Sequence, residues 1–309
     1  MRRIIIGLAI AAAAAVGASA QQPRTIIADV RAAIAAKDFS KGEALAEADR
    51  AARGITSELI EAMSWLARGT YAAGQLDEAA RFSADTYELA VEALKTRRME
   101  TDRNLEIGLG AAIETDALVR AARGDRSSAV YFLEREIEKY RNSPVHKRLQ
   151  KNLHVLSLEG QPAPALDARE HLGPASPKLS DLKGQVVLLF FWAHWCPDCK
   201  VQAPVVEAML QKYRAQGLRV IAPTMRFGYI KRGTDADPDA ELKHIVAIRD
   251  QSYAFLRDEP VPVGDATHLQ YGVSTTPTLA LVDRQGIVRL YRPGNMSEAD
   301  LDAAIRKLL

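Results

Sequence analysis

The chain has 309 residues, with 48% hydrophobic and 26% charged side chains, enough apolar material for a sizeable core and too much for a wholly disordered polypeptide. At about 150 residues per domain, that length suggests two domains. The formal charge of +2 is carried by Arg2 and Arg3; residues 21–158 hold 21 basic and 21 acidic side chains, and residues 159–309 hold 18 of each. A chain this balanced lacks the basic bias that nucleic acid or an anionic membrane surface would require, so no nucleic-acid partner is expected.

Arg2 and Arg3, the apolar run 4–16 and Ala18-Ser19-Ala20 read as a secretory signal peptide over residues 1–20, cleaved after Ala20. The run is short for a bilayer span of about 20 residues, so membrane contact is expected only if the leader stays uncleaved. The mature chain is then expected outside the cytoplasm, in the periplasm, where thiols can be oxidised.

Residues 21–158 are rich in Ala, Leu, Glu and Arg at helical spacing, which predicts an all-helical domain with helices over 25–37, 41–53, 57–73, 76–96, 105–123, 126–141 and 145–156. Gly54, Gly74 and Gly124 mark stops. Asp125 and Ser143 are candidate N-caps, the latter followed by Pro144 at a first helical position. Gly74…Ala79 and Gly124…Ala129 share one spacing, and Trp65…Ala79 resembles the turn of a tetratricopeptide repeat, against the alternative of an ordinary bundle. His146 and His154 are eight residues apart, too far for one ligand face, and are expected at the surface or as caps.

Gln161-Pro162-Ala163-Pro164 and Gly173-Pro174 break the helical pattern and mark the boundary to a second domain, 159–309. Here strand and helix alternate. The apolar run 186–192 predicts a strand buried on both faces, 199–216 a helix, 218–222 a second strand and 239–256 a helix. A hairpin over 279–283 and 287–291, turning at Arg284-Gln285-Gly286, precedes a last helix capped by Ser297. The order is α/β.

Both cysteines of the chain lie in Cys196-Pro197-Asp198-Cys199, directly after a strand and opening a helix. Free N–H groups and the positive dipole end of a helix stabilise a thiolate there. An exposed Cys196 can attack a disulfide, and Cys199, one turn on, can resolve the mixed disulfide. A structural zinc site would need four ligands, and a structural disulfide over so short a loop would constrain little chain entropy. No metal and no cofactor beyond the Cys196–Cys199 disulfide itself is expected.

The segment Phe191-Trp192-Ala193-His194-Trp195-Cys196-Pro197-Asp198-Cys199-Lys200 resembles the active-site stretch of the thioredoxin superfamily. Pro204, Val273-Ser274-Thr275-Thr276-Pro277-Thr278 and Leu281-Val282-Asp283…Gly286 resemble its helix kink, cis-proline loop and following hairpin. Gly160-Gln161-Pro162-Ala163-Pro164 and Leu179…Leu182-Lys183-Gly184 resemble the opening of its TlpA/ResA-type extracytoplasmic thiol-disulfide oxidoreductases. The resemblance covers residues 160–309. It implies an α/β thioredoxin-like domain, a central mixed sheet flanked by helices, behind the all-α helical-hairpin domain. It implies Cys196 as nucleophile, Cys199 as resolving thiol, a cis Pro277 that sets Thr276 beside the disulfide to pair with a substrate strand, and Trp195 packed beside the thiols. Trp192 is expected in the core.

Two positions depart from the family. Phe190 stands where thioredoxin has a buried acid, and Pro223-Thr224 where many TlpA/ResA-type chains carry Glu, so no base for Cys199 is identified. Asp198 and His194 are the nearest titratable residues, expected exposed and tuning the redox potential. Asp198 should disfavour a thiolate and push the pair toward reducing chemistry. The expected activity is reduction of disulfides in exported proteins, resupplied by a membrane thiol donor. A peroxidase is excluded by the lack of a Pro-x-x-x-Thr-x-x-Cys segment. A copper-delivery protein (His268 precedes the proline loop) and a helical binding module with an accessory redox domain stand as alternatives.

Overall fold

In the computed structural model, which describes residues 25–231 and 234–309, short polar side chains start most helices of the first half. The leader expected at 1–20 lies outside the described residues. Thr25, Asp38, Thr56, Asp102 and Asp125 each accept a backbone N–H two or three residues into α1 (Ile26–Ala35), α2 (Phe39–Arg53), α3 (Ser57–Ala72), α5 (Arg103–Ala122) and α6 (Arg126–Lys139). α4 (Leu76–Ala93) and α7 (His146–Ser157) begin without such a bond. Gly74 and Gly124 end α3 and α5 at φ 77° and 89°, a backbone that a side chain would strain. Five residues beyond each glycine, Ala79 and Ala129 are fully buried, so the shared spacing marks equivalent close helix contacts.

The expected Ser143 cap is not made. Its hydroxyl donates back to the Tyr140 carbonyl at 2.8 Å, finishing α6, and α7 starts two residues past Pro144. His154 is also not a surface residue. It is buried because α7 is the helix on which the second half docks.

That half contains β1 (His171–Leu172), β2 (Val186–Phe191), α8 (Pro197–Tyr213), β3 (Leu218–Ile221), β4 (Tyr229–Lys231), β5 (Thr234–Asp235), α9 (Pro238–Ser252), β6 (Val261–Pro262), α10 (Asp265–Gln270), β7 (Thr278–Val282), β8 (Val288–Pro293) and α11 (Glu298–Arg306). The central sheet runs β3-β2-β7-β8, with β2 parallel to β3 and antiparallel to β7. All six residues of β2 are buried, which is why its sequence is continuously apolar and not alternating. Val186, Leu188 and Phe190 pack in one core with Met209 of α8, Ile245 of α9 and Leu301 of α11. Val187, Leu189 and Phe191 pack on the opposite face with Tyr271, Tyr291 and Leu158.

This second face is where the halves join. The His154 ring lies edge-on to Tyr291 at 5.8 Å, with Nε2 2.8 Å from the Gln270 carbonyl, and the Glu159 carboxylate accepts the Tyr291 N–H at 3.0 Å. Gly272, at φ 60°, sits directly on α7: a Cβ there would stand 2.4 Å from the Lys151 nitrogen.

Candidate active site

The strand β2 ends by fastening its successor loop to the neighbouring strand. Trp192 is fully buried, its indole N–H bonded to the Ala222 carbonyl at 3.1 Å and its ring against Tyr253 at 4.6 Å. Thr224, which stands where many TlpA/ResA-type chains carry glutamate, is buried and donates its hydroxyl to the Trp192 carbonyl at 2.9 Å. Its role is to pin the loop, and it has no acid to offer.

The loop delivers Cys196 as the N-cap of α8, with Pro197 at the first helical position, where a missing N–H costs nothing. Cys196 and Cys199 are joined as a disulfide with Cα atoms 5.3 Å apart. The Cys199 N–H points at Cys196 Sγ at 3.0 Å, so in the dithiol state a free helix-end donor faces the sulfur that would carry the negative charge. The helix continues through Pro204. Across 80 residues of sequence, the Thr276 carbonyl lies 3.4 Å from Cys196 Sγ, and the Thr276–Pro277 bond is cis.

Cys196 is only 2% exposed and Cys199 fully buried, so the expectation of an exposed Cys196 is corrected. The proline loop covers the sulfur, with the Thr276 carbonyl against it. Asp198 is exposed in the first turn of α8, as expected. Trp195 is 43% exposed and packs on the rings of Phe227 (5.3 Å) and Tyr229 (6.3 Å), which the β3–β4 connection and β4 bring up beside the site.

His194, expected at the surface, is buried. The alternation of the loop turns it inward between Phe227, Tyr229 and the His244 ring at 5.3 Å, with Nδ1 3.9 Å from the carboxylate of Glu241. Glu241 is itself buried and accepts N–H bonds from Phe227 at 2.5 Å and Gly228 at 2.8 Å, tying α9 to the β3–β4 loop. Burial holds the His194 imidazole below the ordinary histidine value, with the His244 ring adding to that and Glu241 opposing it. Sequence reasoning missed this acid because Glu241 lies on a separate helix, 42 positions beyond Cys199, at no spacing that relates it to the cysteines.

His268 of α10 is buried edge-on against Phe191 at 5.3 Å. Its Nδ1 bonds the Gly264 carbonyl at 3.1 Å, and burial pushes its pKa down to about 4. Among the described residues, no three His, Cys, Asp or Glu side chains are grouped to hold a metal ion. The three buried histidines, His154, His194 and His268, all held below the ordinary histidine value by burial, set a pH limit. The unfolded chain protonates near pH 6.5 while the folded form stays neutral, so the folded state binds fewer protons. Stability is therefore full above about pH 6.5 and falls as pH drops toward 4. His268→Gln should flatten this acid limb, by roughly 2 kcal/mol between pH 7 and about 4.5. Thermal unfolding at a series of pH values checks it, and parallel curves for the two proteins would contradict the assignment.

Residues 158–305 match the family model described as Redoxin. Thioredoxin-like protein YneN of Bacillus subtilis (strain 168) is 29% identical over 145 residues, covering 47% of this chain and 76% of that protein. The thiol-disulfide oxidoreductase ResA of Bacillus thuringiensis (strain Al Hakam) is 29% identical over 132 residues, covering 42% of this chain and 68% of that one. A crystal structure described as a thiol:disulfide interchange protein, DsbE, from Chlorobium tepidum superposes with a TM-score of 0.38 at 30% identity, over 48% of this chain and 96% of that one. With its active-site segment following a buried strand, its helix-capping cysteine pair and its mixed sheet, the chain belongs, through residues 158–305, to the thioredoxin superfamily as a thiol-disulfide oxidoreductase of the TlpA/ResA type.

Proposed function

We propose that this protein reduces disulfides of exported proteins, with Cys196 as the attacking thiol and Cys199 as the resolving thiol. The observation that carries the reading is the placement of Cys196 Sγ between the Cys199 N–H and the Thr276 carbonyl. In the dithiol form, the Cys196 thiolate attacks one sulfur of the substrate disulfide. That S–S bond breaks, a mixed disulfide forms, and the released substrate sulfur takes up a proton. Cys199, deprotonated, then attacks Cys196 Sγ, which frees the second substrate thiol and closes the Cys196–Cys199 disulfide. Two electrons have passed to the substrate, and an external dithiol, expected to be a membrane thiol donor, must return them. No cofactor enters this cycle.

Thr276 and Pro277 would align the substrate backbone, and Trp195 would offer it an exposed aromatic face. The leader sequence at 1–20 supports an extracytoplasmic, periplasmic site of action. The residues 21–158 would serve as a recognition domain, tetratricopeptide-like in its Gly74/Ala79 and Gly124/Ala129 turns, joined to the redox domain 159–309. Asp198 beside the pair disfavours a thiolate and so favours the oxidised protein, which suits a reductant. The reduction potential of the Cys196–Cys199 pair tests the direction: a value near about −270 mV is expected, and one near about −120 mV would reassign the protein as an oxidant.

A further inference from the structure

Where α7 meets the proline loop, the two halves enclose a cleft of about 510 Å³. One wall is Ser274 and Thr275, both exposed and immediately before the Thr276 that touches Cys196. The other wall belongs to the helical half and is dominated by cations: Lys147 and Arg148 in the first turn of α7, Lys151 one turn on, and Arg68 on α3. Two carboxylates face them. Glu114 is shared, with Arg148 at 2.7 Å and Lys151 at 2.8 Å, so one negative charge serves two cations. Glu106, pushed up by burial, pairs with none of the four within 4 Å.

Two cations are left over. The Lys147 ammonium reaches only the Met225 sulfur, at 3.8 Å, and has no carboxylate within 4 Å among the described residues. Arg68 is held by the Ser64 carbonyl and hydroxyl at 3.2 and 3.1 Å and stacked 3.7 Å over the Trp65 ring, again with no ion pair among the described residues. An arginine preorganised by neutral partners keeps its charge available to an incoming anion. Hydrogen bonds and a ring face fix its position, so little entropy is lost when a carboxylate arrives.

We propose that this cleft seats a carboxylate-bearing stretch of the substrate polypeptide adjoining its disulfide, so that the helical half selects acidic flanks for the thiols of the redox half. The proposal rests on the disulfide-reductase reading and names its substrate class. The distance is suitable: an extended chain advances about 3.3 Å per residue, so a substrate strand running past Thr276 brings side chains one to three residues from its cysteine over Ser274 and Thr275. The cleft exists only while α7 is docked on Gly272, which makes selection a property of the whole chain.

The test uses the full-length protein and two synthetic peptides that share one disulfide and differ in flanking Glu against Gln. At low ionic strength kcat/KM should be about tenfold higher for the Glu peptide, since steering by unpaired charge acts on encounter. In about 1 M salt, where screening acts within about 3 Å, the two should converge. Lys147→Gln should shrink the low-salt ratio and Lys147→Glu should invert it. Because each ratio is taken on one protein sample, partial misfolding does not move it. A ratio of one in the unmodified protein, or a ratio untouched by both substitutions, overturns the acidic-substrate assignment. Reduction of neither peptide overturns the reductase reading on which it stands.

Discussion

Replacing Cys196 with serine should bring disulfide reduction down to the uncatalysed rate, a loss of roughly a thousandfold or more, because the one thiol left in the site, Cys199, is fully buried and out of reach of a substrate disulfide. Cys199→Ser should behave differently. Its Cys196 is still capped by the N–H of residue 199, so attack proceeds, but nothing resolves the product, and mixed disulfides with substrate accumulate. Non-reducing electrophoresis of the Cys199→Ser protein with a disulfide substrate reads this directly, and the trapped species should vanish in the double variant. Full activity in Cys196→Ser, or trapping that persists in the double variant, would remove Cys196 from the nucleophile's role.

The second large effect is expected at the junction of the halves. Gly272→Val should destabilise the protein by about 3 kcal/mol, combining a left-handed backbone that a β-branched residue resists with a clash that pushes α7 off. The unfolding midpoint should drop by roughly 5–10 °C. The clash is with backbone, the Lys151 nitrogen and the Gln150 carbonyl carbon at 2.4 and 2.6 Å from the added Cβ, so no side-chain rotation relieves it. The same contact decides where the redox half ends. A fragment of residues 160–309 carries every strand of the sheet but lacks Leu158, Glu159 and the His154 ring, and leaves the Tyr291 side of its second face bare. It should melt well below a fragment of residues 143–309, which keeps α7. Equal melting temperatures for the two fragments, or an unchanged midpoint in Gly272→Val, would show that α7 only rests on the sheet.

Pro204 and the Thr276-Pro277 dipeptide were legible through the family resemblance, and the aromatic strand and the cysteine pair at a helix start could be read locally. Each is a short-range constraint: a β2 buried on both faces must be apolar throughout, and a capping sulfur must precede its helix by one residue. The helix starts at Asp125 and Ser297 were legible for the same reason, since a cap bonds within three residues. Ser143 shows the limit. Its hydroxyl bonds back to the Tyr140 carbonyl at the close of α6 and does not open the next helix.

What depends on distant segments was not legible. His194 and Trp195 are adjacent and equally polar or aromatic in either direction, and only the β3–β4 loop with Glu241 of α9 determines that the histidine turns in and the tryptophan out. Cys196 reads as an exposed thiol until the proline loop, 80 residues away, closes over it. The short strands β1 and β4 to β6 hold too few residues to show a period, and their pairing comes from partners up to 91 positions distant. Nor could a neutral charge balance disclose a basic cleft, since Arg68 of α3 meets Lys147, Arg148 and Lys151 of α7 only in the assembled fold. The sequence by itself determined the fold class and the paired sulfurs at the start of α8, through bonds a few residues long. Tertiary packing alone decided what surrounds them, because burial and charge pairing depend on which segments come together and not on their order.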